Sequence, residues 1–520
     1  MLQNHGLNTC PDMRKRNIKE SYKKKIVTES QFKKIRNNKK TVALCHGVFD
    51  LVHPGHLRHF EYAKTKADIL IVSITDDKFV DKDNYRPYVP GKLRAKNVAA
   101  YEIIDYVIID NNKEPINLIK NIKPNFFVKG FDYSSKDNPK TIKELNIIKK
   151  YGGEMIFSPG DVVFSSSKFI NTNKPDLSVD KLNLILQNEK ISLNQIKKIL
   201  NSFDKINVHV IGDTIVDVYQ NTNLIGGQTK TPTPSLAEAE RKTFLGGAGV
   251  VAKHLKDAGA NVYFTTILGK DKYSSFVKKE LKKNKINSRI IIDKSRPTTV
   301  KKLILNNNQR LLKLDKIDNS QINDEFLNEI VKSIKNIKSD IIIFSDFRHG
   351  IFSKKTIPFL KNKIPKKTFT VADSQVASRW GNILEFKKFN LITPNEKEAR
   401  FALFDQDSHV KNLATELFKI SKCKNLILKL GDKGMISTKA KNLSKKENFY
   451  VLDSFSNNAI DPVGAGDALL AYSALSLYSS NSLAISSIIG SIAAAIECEI
   501  NGNLPVKKKD VLTKLKNLID

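Results

Sequence analysis

Residues 461–467 read Asp-Pro-Val-Gly-Ala-Gly-Asp, and this stretch decides the fold of the second part of the chain. A Gly-Ala-Gly turn at the start of a helix presents several backbone N–H groups to one point, which suits the charge of a phosphoryl group in transfer. Asp467 follows the turn directly and can accept a proton from an attacking hydroxyl. The alternative is a glycine-rich helix start whose aspartate only caps the helix.

Four further motifs favour the catalytic interpretation. They are Gly212-Asp213-Thr214, Gly246-Gly247-Ala248-Gly249, the run from Thr393 to Glu398, and Lys429-Leu430-Gly431. Short apolar runs that read as strands alternate with helical patterns at 208–212, 263–268, 341–345, 368–372, 390–393 and 425–429. Strands that alternate with helices predict a parallel sheet in an α/β domain.

The first part of the chain shows the same alternation, with strands expected at 41–44, 68–73, 103–109 and 126–128. The first strand leads into His53-Pro54-Gly55-His56 at the start of a helix. Two imidazoles and the free N–H groups of a helix start can bind phosphate oxygens together, which suits displacement at an α-phosphate. Capping of the helix or metal binding is the alternative for these histidines. Lys129-Gly130, Ser165 to Ser167, Arg86-Pro87 and Arg94 add further phosphate-binding groups.

On these motifs residues 40–170 resemble the cytidylyltransferase-like nucleotidyltransferases, in particular the nucleotidyltransferase half of the bifunctional ADP-heptose synthases. The resemblance implies a Rossmann-like domain in which His53 and His56 act in catalysis. It assigns nucleotide binding to the two histidines and to Phe49, Asp50, Arg94, Lys129, Ser165, Ser166 and Ser167. His46 stands where that family has Asn, which leaves its role open.

Residues 205–520 resemble the ribokinase-like (PfkB) sugar kinases. The resemblance implies that Asp467 is the catalytic base and that Gly464, Ala465 and Gly466 form the anion hole. It places ATP near Asn395, Glu398, Lys429 and Gly431, with Asn395 and Glu398 organising Mg²⁺ indirectly, and the sugar near Asp213, Gly246, Gly247, Arg296 and Lys301. The stretches 296–303 and 308–315 narrow the likeness to the heptose 7-phosphate kinase half of the same synthases. A solvated basic strand edge is the alternative for Arg296 and Lys301.

Together the resemblances imply a bifunctional transferase that phosphorylates a sugar phosphate, heptose 7-phosphate, with ATP. It would then join a sugar 1-phosphate to a nucleotide, giving ADP-heptose for surface glycan or lipopolysaccharide core synthesis. Two features depart from the family: the kinase comes second here, and Val250 stands where the family has Asn. The same two reactions on another sugar or polyol phosphate, with CTP, therefore stay open.

The overall composition adds expectations about context. We expect a basic extension at 1–39 and a linker with a lead-in helix at 171–204. The net charge of +33 suggests a nucleic-acid or surface-binding protein as a different class, but the lysines are spread along the chain. The four cysteines are scattered and the first residues lack a secretory pattern, which indicates a cytoplasmic enzyme. The apolar stretch at 483–500 is broken by serines, which indicates a buried helix and not a membrane span. We expect sugar phosphates and nucleoside triphosphates as partners, and no association with a membrane. A homo-oligomer stays an open alternative.

Overall fold

The chain forms two compact units, Met1–Pro175 and Asp176–Asp520. The computed structural model describes residues 21–37, 39–80, 87–130, 139–158, 177–226, 235–307, 309–375, 382–439, 449–456, 459–500, 502 and 504–519. Each unit is built around its own largely parallel sheet, so the α/β class that the sequence predicts is confirmed.

A five-stranded parallel sheet forms the centre of the first unit, in the order β3-β2-β1-β4-β5. Its strands are β1 (Val42–Gly47), β2 (Ile69–Thr75), β3 (Tyr106–Asp110), β4 (Phe126–Lys129) and β5 (Glu154–Phe157). Its helices are α1 (Glu29–Ile35), α2 (Pro54–Lys66), α3 (Gly91–Ala99), α4 (Ile116–Ile122) and α5 (Pro139–Lys149). The four expected strands are present, and β5 adds a short fifth one at the edge.

The strand order reverses at β1, which pairs with β2 on one side and with β4 on the other. Separate apolar clusters cover the two faces of this sheet, one around Phe60 and one around Phe32. In an open parallel sheet, ligands bind beyond the carboxyl ends of the strands where the order reverses. The loops that follow β1 and β4 are therefore the place to look for a site.

The second unit contains a nine-stranded sheet in the order β10-β9-β6-β13-β14-β15-β16-β17-β18. Its strands are β6 (Asn207–Gly212), β9 (Asn261–Gly269), β10 (Asn287–Asp293), β13 (Ile341–Asp346), β14 (Phe369–Ser374), β15 (Leu391–Ile392), β16 (Asn425–Lys429), β17 (Met435–Lys439) and β18 (Phe449–Leu452). The strand pairs are parallel except that β17 runs antiparallel to both of its neighbours, β16 and β18. All six strands expected here are present.

A separate four-stranded sheet in the order β12-β11-β7-β8 also belongs to the second unit. Its strands are β7 (Thr214–Gly226), β8 (Ser235–Gly247), β11 (Val300–Asn306) and β12 (Gln309–Lys316). Every residue of β12 is exposed. This strand therefore lacks the alternation of buried and exposed residues by which a half-buried strand is recognised in a sequence. The sequence analysis did not predict this sheet.

The helices of the second unit pack on the nine-stranded sheet. They are α6 (Ser178–Asn188), α7 (Leu193–Asn201), α8 (Ala248–Asp257), α9 (Lys272–Lys283), α10 (Asp324–Asn336), α11 (Thr356–Lys361), α12 (Glu396–Leu403), α13 (Val410–Ser421), α14 (Ala465–Ser480), α15 (Leu483–Cys498) and α16 (Lys508–Ile519). Leu182 of α6 and Leu200 of α7 lie in the same apolar core as α14 and α15. The stretch before β6 is thus part of this unit's core.

Helix α15 is almost completely buried, as expected of the apolar stretch 483–500. No helix in the described part of the chain has the length and apolar character needed to cross a membrane.

Glu497 near the end of α15 is an unusual core residue. Its side chain is fully buried, and neither carboxylate oxygen has a hydrogen-bond partner among the described residues. Burial raises the pKa of Glu497 to about 8, with further contributions from Asp467 and Asp461. A carboxyl whose pKa is raised on folding binds its proton more tightly in the folded state, so its contribution to stability falls as pH rises from the unfolded pKa to the folded one.

We expect Glu497→Gln to stabilise the protein at about pH 8 and to change little at about pH 5, because glutamine replaces the acid without a proton to lose. Thermal unfolding of both proteins at the two pH values measures this. Each kcal/mol corresponds to about 2–4 °C in Tm for a domain of this size. An equal Tm difference at both pH values would show that Glu497 does not titrate in this window.

Candidate active sites

The two histidines of the first unit meet at the start of α2. His53 is the N-cap of α2, and its Nδ1 accepts a hydrogen bond from the backbone N–H of Gly55 at 3.2 Å. The ring centroids of His53 and His56 lie 3.9 Å apart. Both imidazoles therefore sit at one helix N-terminus beyond the carboxyl end of β1, where the helix start favours an anion.

Phe49 and Asp50 shape the loop between β1 and α2. Phe49 adopts a left-handed backbone conformation with φ of 48°, and its ring makes an edge contact with His56, with the centroids 5.2 Å apart. Asp50 is buried and accepts hydrogen bonds from the backbone N–H groups of Tyr88 and Val89. Phe49 supports one predicted catalytic imidazole, while Asp50 ties this loop to the segment before α3.

His46 makes a structural link between β1 and β2. Its Nδ1 lies 2.9 Å from Ser73 Oγ, and its Nε2 lies 3.3 Å from Thr75 Oγ1. Burial, with a smaller contribution from Lys129, lowers the pKa of His46 to about 4. His46 is therefore a neutral imidazole whose two nitrogens contact hydroxyl groups. This structural link is the role that the sequence left open.

Arg94 is fully buried and bound to protein groups on several sides. Its guanidinium donates to the carbonyl oxygens of Val89 and Thr75, each at 2.9 Å, to the Val48 carbonyl oxygen, and to Asp77 Oδ1 at 2.5 Å. The side chain thus holds together the loop ends after β1 and β2. Direct contact between Arg94 and a nucleotide, as the resemblance implies, would compete with these bonds.

Lys129 ends β4, next to β1, at the point where the strand order reverses. Its Nζ forms an ion pair with Glu144 and donates to Thr141 Oγ1 at 3.2 Å. Burial raises the pKa of Glu144, and Lys129 opposes that shift. The sheet therefore brings Lys129 to the same edge as the histidine loop.

The other predicted phosphate-binding residues of the first unit, Arg86, Ser165, Ser166 and Ser167, lie outside the described residues.

The glycine turn of the second unit opens α14. Gly464 is the N-cap of α14, with φ of 93°, a left-handed conformation that glycine adopts without steric cost. The backbone N–H of Asp467 donates to the Gly464 carbonyl oxygen at 2.9 Å, so Asp467 lies in the first turn. Ala465 and Gly466 complete the turn between them, as the motif predicts.

Asp467 is buried, and burial raises its pKa to about 7. The carboxylate of Asp373 adds to that shift, and Lys429 opposes it. Proton transfer is most effective when the pKa of a base lies near the working pH. Asp467 therefore has both the position and the basicity of a general base.

Lys429 and Asp373 form a buried ion pair beside this base. Lys429 Nζ lies 3.1 Å from both carboxylate oxygens of Asp373, and Thr393 Oγ1 donates to Asp373 Oδ1 at 3.0 Å. Burial alone would lower the pKa of Lys429, but Asp373 and Glu398 outweigh it and the pKa is raised. Lys429 therefore stays charged at the carboxyl ends of β14 and β16.

Asn395 and Glu398 bind each other at the start of α12. The Asn395 side chain accepts from the backbone N–H of Glu398 at 2.8 Å, and the Glu398 carboxylate accepts from the backbone N–H of Asn395 at 2.7 Å. This reciprocal capping box fixes two oxygen-bearing side chains near Lys429. Gly431 follows Lys429 with φ of 65° and with open space around its Cα.

Asp213 and the glycine pair at β8 form the second half of this site. Asp213 Oδ2 accepts from the backbone N–H groups of Phe347 and His349, at 3.0 and 3.2 Å. Gly247, with φ of 58°, packs so closely that a Cβ there would lie 2.6 Å from the Asp213 carbonyl oxygen. Gly246 approaches the Asp217 carboxylate in the same way.

Arg296 lines the same small cavity as Asp213 and His349. Its Nε donates to Asp293 Oδ2 at 2.8 Å, and its Nη1 donates to the His349 carbonyl oxygen at 3.2 Å. Lys301 on β11 is partly buried; burial lowers its pKa, and Asp217 and Asp467 are among the groups that oppose that shift. Arg296 thus lies beside Asp213, and Lys301 is partly buried on β11.

Two acidic residues of this site were missed as functional candidates. Asp217 interacts electrostatically with Asp467 and Lys301, and its signal was a carboxylate inside the apolar alternation of residues 214–218. Asp461 belongs to the deciding motif, but its partner was not foreseen: its Oδ1 accepts from Arg310 on β12 at 3.0 Å. The four-stranded sheet thus contacts the glycine turn directly.

Comparisons with known protein families match the two units separately. The profile of the pfkB family carbohydrate kinases matches residues 205–504, and the cytidylyltransferase-like profile matches residues 44–172. Among solved structures, phosphofructokinase-2 from Escherichia coli in complex with potassium matches 60% of this chain and 99% of that chain, with a TM-score of 0.50 at 16% identity. At that identity the likeness shows the fold alone.

Several curated relatives carry the name bifunctional protein HldE. The one from Desulfatibacillum aliphaticivorans is 25% identical over 323 residues, which is 61% of this chain and 64% of that protein. The one from Campylobacter fetus subsp. fetus (strain 82-40) is 32% identical over 140 residues, 26% of this chain and 31% of that protein. The matched region thus spans less than two thirds of each relative.

The buried bonds of Arg94 predict a structural effect. Arg94→Met should lower the free energy of unfolding by about 3–5 kcal/mol, because it removes the buried guanidinium that donates to Asp77 and to three carbonyl oxygens. Arg58→Met, the same change at an exposed position on α2, should stay within about 0.5 kcal/mol of the parent. Urea unfolding of the full chain measures both. Unchanged stability of Arg94→Met would contradict this role and favour direct contact with the nucleotide.

Proposed function

Because the chain belongs to the pfkB family of carbohydrate kinases and carries a cytidylyltransferase-like domain before the kinase, we propose that it activates a sugar in two reactions. The second unit phosphorylates a sugar phosphate at its anomeric hydroxyl with ATP. The first unit joins a sugar 1-phosphate to a nucleoside monophosphate from ATP or CTP. The observation that carries the kinase half is a buried Asp467, with a pKa of about 7, in the first turn after Gly464.

In the kinase reaction Asp467 takes the proton of the sugar hydroxyl as the oxygen of that hydroxyl attacks the γ-phosphorus of ATP. The bond from this phosphorus to the bridging oxygen breaks, and ADP leaves. The backbone N–H groups of residues 464–466 bind the charge that spreads over the γ-phosphoryl oxygens. Lys429, held by Asp373, contributes a fixed positive charge beside the same group.

Asn395 and Glu398 are the residues that would organise Mg²⁺. Their oxygen atoms are of the kind that hard cations prefer, and the capping box holds them rigidly near Lys429. When bound with ATP, Mg²⁺ supplies neutralisation of the phosphate charge. Because both side chains already bind backbone N–H groups, we propose that they act through water ligands of the ion.

In the transferase reaction His53 and His56 bind the phosphates of the nucleotide at the start of α2. The oxygen of the sugar 1-phosphate attacks the α-phosphorus, and pyrophosphate leaves. Burial lowers the pKa of His53, so this imidazole acts as a hydrogen-bonding group and not as a fixed cation. Electrostatic stabilisation of the charge that builds up on the α-phosphate needs no protein nucleophile.

We propose heptose 7-phosphate as the kinase substrate and ADP-heptose as the final product, for surface glycan or lipopolysaccharide core synthesis. The resemblance of residues 296–303 to the heptose 7-phosphate kinases supports this choice, and the relatives' name, bifunctional protein HldE, supports two reactions on one chain. A second candidate, another sugar or polyol phosphate used with CTP, is favoured by Val250. This side chain is fully buried in α8, and its methyl groups cannot hydrogen-bond a sugar hydroxyl.

The proposed setting is the cytoplasm, where ATP and sugar phosphates are available. Cys45, Cys423 and Cys498 are free thiols in the structure, in agreement with a reducing compartment.

Two substitutions separate the reactions. We expect His56→Ala to abolish pyrophosphate release and to leave sugar phosphorylation intact, because the histidine loop and the glycine turn belong to different units. Asp467→Asn should do the reverse and lower kinase turnover by about 10²–10⁴-fold while ATP still binds. Coupled assays for pyrophosphate and ADP measure the two activities. Loss of both activities in either folded variant would refute two independent sites.

The raised pKa of Asp467 predicts the pH dependence of the kinase. The base works only when it is deprotonated, so kcat/KM should rise from about pH 6 to about pH 8 with an apparent pKa near that of Asp467, about 7. The residual rate of Asp467→Asn should lack this rise. A rise of the same size in the variant would assign the titration to another group.

A further inference from the structure

His349, in the loop after β13, connects the two halves of the predicted sugar side. Its backbone N–H donates to Asp213 Oδ2 at 3.2 Å, and its carbonyl oxygen accepts from Arg296 Nη1 at 3.2 Å. The residue is 94% buried, and it lines the same cavity as Asp213 and Arg296. The loop geometry thus fixes the imidazole beside two residues to which the resemblance assigns the sugar.

The hydrogen bonding of the imidazole determines which nitrogen is available. Nδ1 lies 2.8 Å from Asn319 Oδ1, and because an amide oxygen only accepts, Nδ1 must carry the hydrogen. Burial lowers the pKa of His349, which favours the neutral ring. In a neutral ring protonated at Nδ1, Nε2 is a hydrogen-bond acceptor.

Nε2 of His349 is buried and has no hydrogen-bond partner among the described residues. A buried polar atom without a partner costs about 1–3 kcal/mol. That cost is recovered when a ligand supplies a donor. The donors that a sugar offers are its hydroxyl groups, and Asp213 and Arg296, to which the resemblance assigns the sugar, line the same cavity as His349.

We propose that His349 is a specificity-determining residue of the kinase, where its Nε2 accepts a hydrogen bond from one hydroxyl of the sugar phosphate. This inference rests on the proposed kinase function. Asn319 is then a positioning residue, since it holds the ring in the tautomer that leaves Nε2 as an acceptor. The arrangement selects sugars that carry a hydroxyl at the contacted position over analogues that lack it.

Two substitutions of His349 separate this role from packing. The amide of His349→Asn can reach Asn319 in place of Nδ1 but leaves nothing at the position of Nε2. The longer His349→Gln can place an acceptor oxygen there. His209→Asn is the matched control: His209, on β6, is also fully buried and has a ring nitrogen without a partner among the described residues, but it does not line this cavity.

The test is steady-state kinetics of the full chain with heptose 7-phosphate, its monodeoxy analogues and ATP. We expect the parent to lose about tenfold in kcat/KM with the one analogue that lacks the contacted hydroxyl. His349→Asn should lose about tenfold with heptose 7-phosphate and no longer distinguish that analogue. The KM for ATP should not change, and His349→Gln should retain most of the discrimination. His209→Asn should lower Tm without changing the ranking of the sugars.

Discrimination among the analogues that is unchanged in His349→Asn would overturn the inference. So would equal losses in His349→Asn and His349→Gln with Tm decreases like that of His209→Asn, because that result describes packing alone. In either case phosphorylation by the parent would leave the proposed function standing. If the parent phosphorylates no sugar phosphate at all, the proposed function fails, and the role of His349 fails with it.

Discussion

The ion pair between Lys429 and Asp373 is the interaction on which the catalytic centre of the second unit depends. Asp373 and Asp467 are both buried, and the carboxylate of Asp373 raises the pKa of Asp467. Lys429 opposes that shift, so Asp467 keeps a pKa of about 7 despite its burial. Without the charge of Lys429, the pKa of Asp467 would be higher and the carboxyl would stay protonated. If Asp467 were more exposed, its pKa would be lower and it would be too weak a base. This ion pair requires the carboxyl ends of β14 and β16 to lie close together, because Asp373 is near the end of β14 and Lys429 ends β16.

Parallel strands end at one edge of a sheet, so the apolar runs that predicted the central strands also predicted which residues would lie at its carboxyl edge. Asp213 directly follows β6 and Lys429 ends β16, and both lie at that edge. For the same reason Lys129 lies at the same edge as the histidine loop of the first unit, across the reversal between β1 and β4. The ion pair of Lys429 with Asp373 was not predicted.

Partners contributed by distant loops could not be read from the sequence. The resemblance implies nucleotide binding for Arg94, and a pattern of residue types carries no trace of the carbonyl oxygens from three separate segments that its guanidinium binds. The sequence left the role of His46 open, because it does not show that the hydroxyl groups of Ser73 and Thr75 contact its ring. The contact between Arg310 and Asp461 could not be predicted because Arg310 lies on β12 of the four-stranded sheet. Every residue of β12 is exposed, so its sequence lacks the alternation of buried and exposed residues that identifies a strand.

The central claim is that one chain carries two sugar-activating reactions, and mass spectrometry of products tests it most directly. The protein is incubated with a panel of heptose and hexose phosphates, with ATP and with CTP. The account predicts a bisphosphorylated sugar and ADP from a heptose 7-phosphate, and a nucleotide sugar with pyrophosphate from a heptose 1-phosphate. The absence of both kinds of product across the whole panel would contradict it.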